Sequence, residues 1–596
     1  MDRVSAIGAP RLAGVGVEST LRGIAALSPP AVQIPKVPRR GLTLPPDNPV
    51  PQLAVPGFRF PTTASTAERR QAAHDLLQSA VIIVRQGYGP KPFRREQGWS
   101  LEQAEGAARR SIDALSTIND RDVQRIIKEF IDAMRDGHTD ITVADRRARA
   151  LPFDVIRTID GAYAIAWVDT EQLPPGVALR VGDVVTTFDG RPIAEVMAEL
   201  ARGERQTNPD AAMHSALATL TTRSGASLHD VPELGANVVL GLVGADGKPR
   251  APVTLQWLQS SAVSESPFDA GATEGYPPRL GPIAQARREG DPFASYVYTH
   301  NGRRIGYVRI STFSPTDANG NEDATGIEVA FVRRFQARIR ELAETTDALV
   351  VDLNDSTGGA TTVENLLSAS LSPVPLRSAV DALRNTARLK EETQARLAAL
   401  EAGVPRDDLT NLFSNPEAVR RKERAYLTKL LAQLEAGRPW SEPMALDGMA
   451  EIPPARHPYR RPVIFLTNPG TASSSETMPA KFQDNRDRRP SAVVGTRTAG
   501  WGGTIENVSI PNPFGISSIS YTESLSIRMN GTPLAEDITP ERLIESRGVI
   551  PDRHLALTLN DLRNDFADYR RGVNAVVMEQ IHAYERVHGR RRPRSQ

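Results

Sequence analysis

The stretch Pro462 to Asp484, PVIFLTNPGTASSSETMPAKFQD, constrains the fold of this 596-residue chain more than any other. Its apolar, β-branched run Val463 to Leu466 is short enough for a buried strand, and Asn468, Pro469 and Gly470 break it before an amphipathic segment begins. A strand, a tight turn and a helix follow in that order. Ser473 then stands at the start of the helix, where free N–H groups and the positive end of the dipole favour a developing oxyanion. Such a site suits acyl transfer. Thr471 to Ser475 also fits a plain helix cap, because Ser and Thr are preferred at that position.

Charge and cysteine content remove several function classes. Lys plus Arg total 72 against 71 Asp plus Glu, leaving +1, so neither nucleic acid nor an acidic membrane surface is implied. The sequence contains no cysteine, which removes disulfides, thiolate catalysis and Cys-ligated metal together. No apolar run approaches the ~18 residues of a membrane span. Residues 4 to 17 are interrupted by Gly, Pro and Arg and form no clear signal peptide.

The predicted organisation is multidomain α+β. Residues 1–63 read as a proline-rich extended arm. Residues 64–149 have helical periodicity, and the last helix is expected to stop at the Gly137 signal and deliver His138 into the loop beyond. Within residues 150–260 the run 175–193 alternates as strands do, with a turn at Asp189-Gly190, and the final strand 253–258 follows a long insertion, so an ordinary packed β module is one reading of this region. Strands and helices alternate again over 261–373 and 446–580, as in an α/β core. Between them, residues 374–445 are charged and helical in period, read as a solvated helical pair, with a homodimer contact or a lid as the sharper alternative. Residues 581–596 form a basic tail. Gly358 and Gly359, after the buried run Ala348 to Leu353, can point backbone N–H groups at a reacting oxygen, or can simply make a turn.

Several separated motifs occur in one order: Gly306-Tyr307 with Ser311 and Phe313, Asp352-Leu353 with Gly358-Gly359, Thr471 to Glu476 with Gln483-Asp484, and Val494-Gly495 with Thr498 and Gly500. This pattern resembles the tail-specific, or C-terminal processing, serine peptidase family, and the stretch Pro175 to Ile193 resembles a PDZ domain, a module that binds peptide ends by strand addition. The resemblance implies a crotonase-like α/β core, Ser473 as nucleophile, and protein or peptide substrates without metal or other cofactor. It also favours an extracytoplasmic or secreted setting. The Ser-Lys branch carries its lysine base where this chain has Trp501. The chain is instead similar to the branch that includes the tricorn core protease and the chlamydial protease-like activity factor, which implies His138 as base and Glu545 as its orienting carboxylate. The oxyanion donors implied are the N–H of Ser474 and one from Gly358 or Gly359. Asn354 to Thr357 departs from the family pattern before the glycines. A non-catalytic peptide- or apolar-ligand-binding relative is the alternative. An ordinary histidine base would place the acid limb of activity at roughly pH 6 to 7.

Overall fold

The computed structural model describes residues 65–589 except 207, 265, 269–278, 286–291, 317–325, 404–408 and 530–541. The proline-rich arm and residues 590–596 of the tail lie outside the described residues, while residues 581–588, expected as part of that tail, continue the helix Ala567–His588. The chain opens with helices α1 (Thr66–Gly87), α2 (Lys91–Glu96), α3 (Leu101–Ala114) and α4 (Asp120–Asp132). Ser65, Ser100 and Asn119 cap α1, α3 and α4 by accepting first-turn N–H groups, as short polar side chains do. The apolar faces of α1 and α4 do not close on each other alone. Their core, including Leu76, Val84, Ile127 and Phe130, is completed by Ile516, Ile519 and Tyr521 from far along the chain. Strand β1 (Asp140–Val143) pairs antiparallel with this distant segment, Asp140 opposite Ser520.

A second module follows. Its sheet contains β2 (Phe153–Arg157), β3 (Tyr163–Val168), β4 (Val184–Phe188), β5 (Asn237–Val243) and β6 (Val253–Gln256). Asp189 and Gly190 both have positive φ, 49° and 74°, which fits the expected tight turn after β4. Two helices, α5 (Ile193–Gly203) and α6 (Pro209–Thr221), pack together and cover the sheet through Val196, Met197, Leu217 and Leu220.

The largest sheet mixes both strand senses. It runs β7 (Ile283–Gln285), β8 (Ser295–His300), β9 (Arg303–Arg309), β10 (Ala348–Asp352), β12 (Val463–Thr467), β13 (Ser491–Gly495) and β17 (Arg553–His554). From β9 onward the pairing is parallel. Both faces are covered, which is why β10 and β12 open with unbroken apolar runs, 348–351 and 463–466, rather than alternating ones. On one face lie α7 (Ile327–Thr345), α8 (Thr361–Leu371) and α11 (Ser474–Asp484), around Phe335, Leu366, Phe465 and Phe482. On the other lies α12 (Ala567–His588), through Val573 and Val577.

The segment between α8 and β12 folds as expected into helices, α9 (Ala387–Glu401) and α10 (Pro416–Glu435), packed through Leu389, Leu427 and Leu430. It is anchored by β11 (Val380–Leu383), which pairs antiparallel with β16 (Ser524–Ile527). Strands β14 (Ile505–Ser509) and β15 (Ile516–Thr522) form the hairpin that β1 joins.

Helix α11 is fixed to α8 by a buried charge pair. Lys481 Nζ donates to Glu364 Oε2 at 2.6 Å and to Asn365 Oδ1 at 2.8 Å, with both charged side chains almost wholly enclosed. Burial disfavours the Lys481 cation while Glu364 supports it. Removing one partner strands the other, so Lys481→Met should cost about 3–5 kcal/mol in urea unfolding. Lys481→Met combined with Glu364→Leu should recover much of that loss; a double variant no more stable than the single would contradict this account.

Candidate active site

Three adjacent parallel strands, β10, β12 and β13, end at the same edge of the sheet, the region where open α/β sheets place their ligands. The loop after β10 carries Gly358 and Gly359, the loop after β12 carries Ser473, and the loop after β13 carries Thr498 to Trp501. Ser473 sits at φ 57°, ψ −130°, outside the helical region, and the helix begins at the next residue. A non-glycine residue held there costs about 1–3 kcal/mol and persists only when its surroundings over-determine it.

What over-determines it is Glu476. This fully buried carboxylate accepts from Ser473 N at 3.0 Å, Thr498 Oγ1 at 2.5 Å, Gly500 N at 2.7 Å and Trp501 N at 2.7 Å. Burial pushes its pKa up to about 7 against the pull of these donors. The glutamate of the Ser-x-x-Glu motif thus ties the serine loop to the Thr-x-Gly loop. Ala472 N also donates to Ser356 O at 2.9 Å, and Ser356 Oγ lies 2.5 Å from Ser475 Oγ, joining the serine loop to the glycine loop.

Gly358, at φ 88°, lies against the serine. A Cβ there would stand 2.6 Å from Ser473 Cβ and 2.8 Å from Ser474 N, so only glycine tolerates both the backbone and the approach. Its carbonyl accepts from Phe313 N at 2.7 Å, and Ser474 Oγ donates to Gly359 O at 2.6 Å. The N–H groups of Ser474, Gly358 and Gly359 have no protein acceptor among the described residues.

His138 arrives from the helical segment. Helix α4 ends before Gly137, and the left-handed residue of that turn is Arg135, at φ 51°. The expected role of Gly137 as the helix-ending glycine is therefore corrected: a Cβ on Gly137 would strike the Trp501 indole, so its small size serves a close approach. The imidazole of His138 meets that indole edge to face, with centroids 5.6 Å apart and planes at 67°. Trp501, standing where the other branch has lysine, walls in the histidine. Both ring nitrogens are buried without a hydrogen-bond partner among the described residues. Burial pushes the His138 pKa down to about 4; the Asp136 carboxylate and the Gly502 backbone oppose that shift and Arg205 adds to it. The ring thus titrates below an ordinary histidine because burial disfavours its cation.

Glu545 is buried against the same loop. It accepts from Gly502 N at 3.2 Å, from Ser546 Oγ at 2.8 Å and from the buried Arg94 guanidinium. Burial pushes its pKa well up, with Asp136 raising it further and Arg94 pulling it down. Glu545 is therefore an enclosed carboxylate and not a surface one. His138 and Glu545 lie against the loop Gly500 to Gly502, Ser473 is tied to that loop through Glu476, and no hydrogen bond joins the three side chains to one another among the described residues.

Sequence reasoning missed Arg94, Asp136 and the bracketing part of Glu476. Asp136 is buried, accepts from His138 N at 2.9 Å and from Thr522 Oγ1 at 3.1 Å, and lies two residues from the histidine, a proximity the sequence did display. Nothing near Arg94 in sequence marked it. Among the described residues no group of three or more His, Asp or Glu side chains gathers as a metal ion would need, and no helix is long and apolar enough to cross a membrane.

Residues 304–553 match peptidase family S41, and residues 146–265 match the PDZ domain. The chain carries a family S41 peptidase domain behind a PDZ domain, and it is a peptidase. Its likeness extends well beyond those segments. The crystal structure of mature CPAF superimposes with a TM-score of 0.74 at 25% identity, covering 86% of this chain and 98% of that one. Mature CPAF complexed with lactacystin gives 0.72 at 25% identity, covering 86% and 99%. An uncharacterized protein of Chlamydia muridarum is 26% identical over 580 residues, 83% of this chain and 90% of that protein. A Chlamydia trachomatis protein is 25% identical over 572 residues, 83% and 90%. These findings support both the family and the branch read from the motifs.

The ring environment makes a direct prediction. In NMR titration of the folded protein, His138 should remain neutral down to about pH 4. Because Asp136 favours the imidazolium, Asp136→Asn should shift the titration lower still. A His138 midpoint near 6.5, unmoved by Asp136→Asn, would refute this electrostatic account.

Proposed function

We propose that the chain is a serine endopeptidase in which Ser473 attacks the scissile carbonyl, His138 takes the serine proton and Glu545 holds the imidazole in the useful tautomer. The observation that carries the reading is Ser473 itself. It is locked at φ 57° beside N–H groups of Ser474, Gly358 and Gly359 that have no protein acceptor among the described residues. Donors aimed at a developing oxyanion are worth roughly 3 to 4 kcal/mol each in acyl transfer.

In the state described, Glu545 is held by Arg94 and Gly502 rather than by His138. Engagement therefore requires a local shift about the Trp501–Gly502 loop. A neutral His138 can accept a proton at once, and the imidazolium formed, already favoured by Asp136 and the Gly502 backbone, gains Glu545 as a further partner when that carboxylate reaches the ring. The pH dependence follows with its sign: the base works when neutral, and its pKa lies at about 4 in the free protein. The kcat/KM acid limb, which reports free enzyme, should fall below pH 6. A limb at pH 6 to 7 would contradict the low His138 pKa on which this dependence rests. The alternative of a non-catalytic ligand-binding relative predicts no covalent chemistry at Ser473.

Labelling by a fluorophosphonate probe separates the two readings. Wild-type protein should label and cut peptides, and Ser473→Ala should do neither while keeping its circular dichroism. Hydrolysis by Ser473→Ala at the wild-type rate would remove the nucleophile assignment. Lactacystin, bound by CPAF in its structure, supplies a competitor: it should block probe labelling here.

Glu545→Gln should lower kcat by orders of magnitude, because an amide can present a donor where the ring N–H needs an acceptor. It also leaves Arg94 buried opposite a neutral group, at a cost of about 3–5 kcal/mol, so the assay belongs well below the variant's Tm. A folded Glu545→Gln enzyme with wild-type kcat would exclude Glu545 from catalysis.

A further inference from the structure

Asp355 stands in the loop that departs from the family pattern, three residues before Gly358. It has positive φ, 56°, and its side chain is 9% exposed. Its backbone N–H donates to Asn468 Oδ1 at 2.9 Å, and its Oδ2 accepts from Asn468 Nδ2 at 3.0 Å, so it clasps the start of the serine loop. The other oxygen, Oδ1, lies 2.6 Å from Nε2 of His214. His214 belongs to α6, inside the segment that matches the PDZ domain, some 140 residues earlier in the chain. The pair closes directly over Gly470, where any Cβ would collide with both Asp355 Oδ1 and His214 Nε2.

The contact is one point of a wider seam. Ala211, on the same helix, packs with Ala472 and Ala499. Asn208 Nδ2 donates to Thr498 O at 2.7 Å. Arg205 Nε donates to Gly137 O at 3.0 Å while its guanidinium lies over the Trp501 ring. The stretch 205–214 therefore touches the base loop, the Thr-x-Gly loop, the serine loop and the glycine loop. His214 is the member of this stretch that meets the glycine loop through a charged partner. Shielding of the ring disfavours its imidazolium, but Asp355 more than compensates and the pKa is raised.

We propose that His214 is a positioning residue for the peptidase reaction: by holding Asp355 Oδ1 it fixes the loop that presents Gly358 and Gly359 to Ser473. The polar contact that His214 makes is with Asp355 Oδ1, so its effect runs through Asp355. The inference rests on the serine peptidase reading above. Loss of the contact frees Asp355 to follow Asn468 alone, and the glycine N–H groups lose their fixed aim. Misaimed donors weaken transition-state binding more than ground-state binding, so kcat falls while KM for a short peptide stays.

The test is a double-mutant cycle on the full-length enzyme with a short chromogenic peptide. His214→Ala and Asp355→Asn should each lower kcat about 10- to 100-fold with KM within about twofold, as small misplacements of reacting groups do. The double variant should be no slower than the worse single, because both remove one interaction. His214→Lys, which keeps a cation within reach of Asp355, should recover part of kcat. In protein labelled with 15N-glycine, the Gly358 and Gly359 amide resonances should move in His214→Ala and return toward wild type in His214→Lys. A structural role alone would lower Tm and leave kcat below Tm unchanged. Additive losses, a kcat for His214→Ala within twofold of wild type, or unmoved glycine resonances would overturn the proposal. Absence of fluorophosphonate labelling in the wild type would instead overturn the serine reading, and the glycine resonances would still report on the loop. Should Asp355→Asn fail to fold, the His214→Ala and His214→Lys pair decides by the same readouts.

Discussion

The Glu476 carboxylate holds this site together. It is fully buried and accepts four hydrogen bonds from two loops. A buried charge without partners would be prohibitive, and each bond to a charged group contributes about 1.5–3 kcal/mol once the group is enclosed. Those donors are what keep Ser473 at an otherwise unfavourable φ and place the Trp501 backbone. The Trp501 indole in turn forms one wall of the His138 pocket. Ser473 and one wall of the His138 pocket are thus both positioned from one carboxylate.

Around this bracket the molecule gathers remote segments by burying polar groups that are useless unless paired. Asp136, Arg94, Tyr88 and Glu545 share one enclosed cluster, with Arg94 Nε donating to Tyr88 Oη at 3.1 Å. Low local polarity amplifies every change there, which is why His138 and Glu545 are shifted in opposite directions by the same cause. A cluster with one arginine and more than one carboxylate has alternative pairings, and Glu545 occupies the Arg94 pairing in this state.

Much of the architecture was legible because it depends on local pattern. Unbroken apolar runs at 348–351 and 463–466 announced strands covered on both faces, and Asp189-Gly190 announced its turn. Ser473 and the glycine pair were legible because strand-turn-helix and glycine punctuation are short-range signals. Other features were not. The helices of residues 66–132 read as a unit of their own, yet their core needs Ile516, Ile519 and Tyr521, and apolar periodicity does not say which distant face will cover it. Gly137 looked like a helix terminator and proved to be room for an indole.

The sequence by itself determined the order of elements, the residue types able to perform acyl transfer, and the absence of a lysine at position 501. These are properties of spacing and composition, readable without knowing what touches what. Tertiary structure alone decided that Arg94 occupies Glu545, that Glu476 joins two loops, and that His214 reaches Asp355 from the PDZ segment. Each of these is a contact between residues far apart in the chain, and ion pairs and hydrogen bonds act over a few ångströms of space. Their partners leave no mark on local sequence, so only the packing of the folded chain could select them.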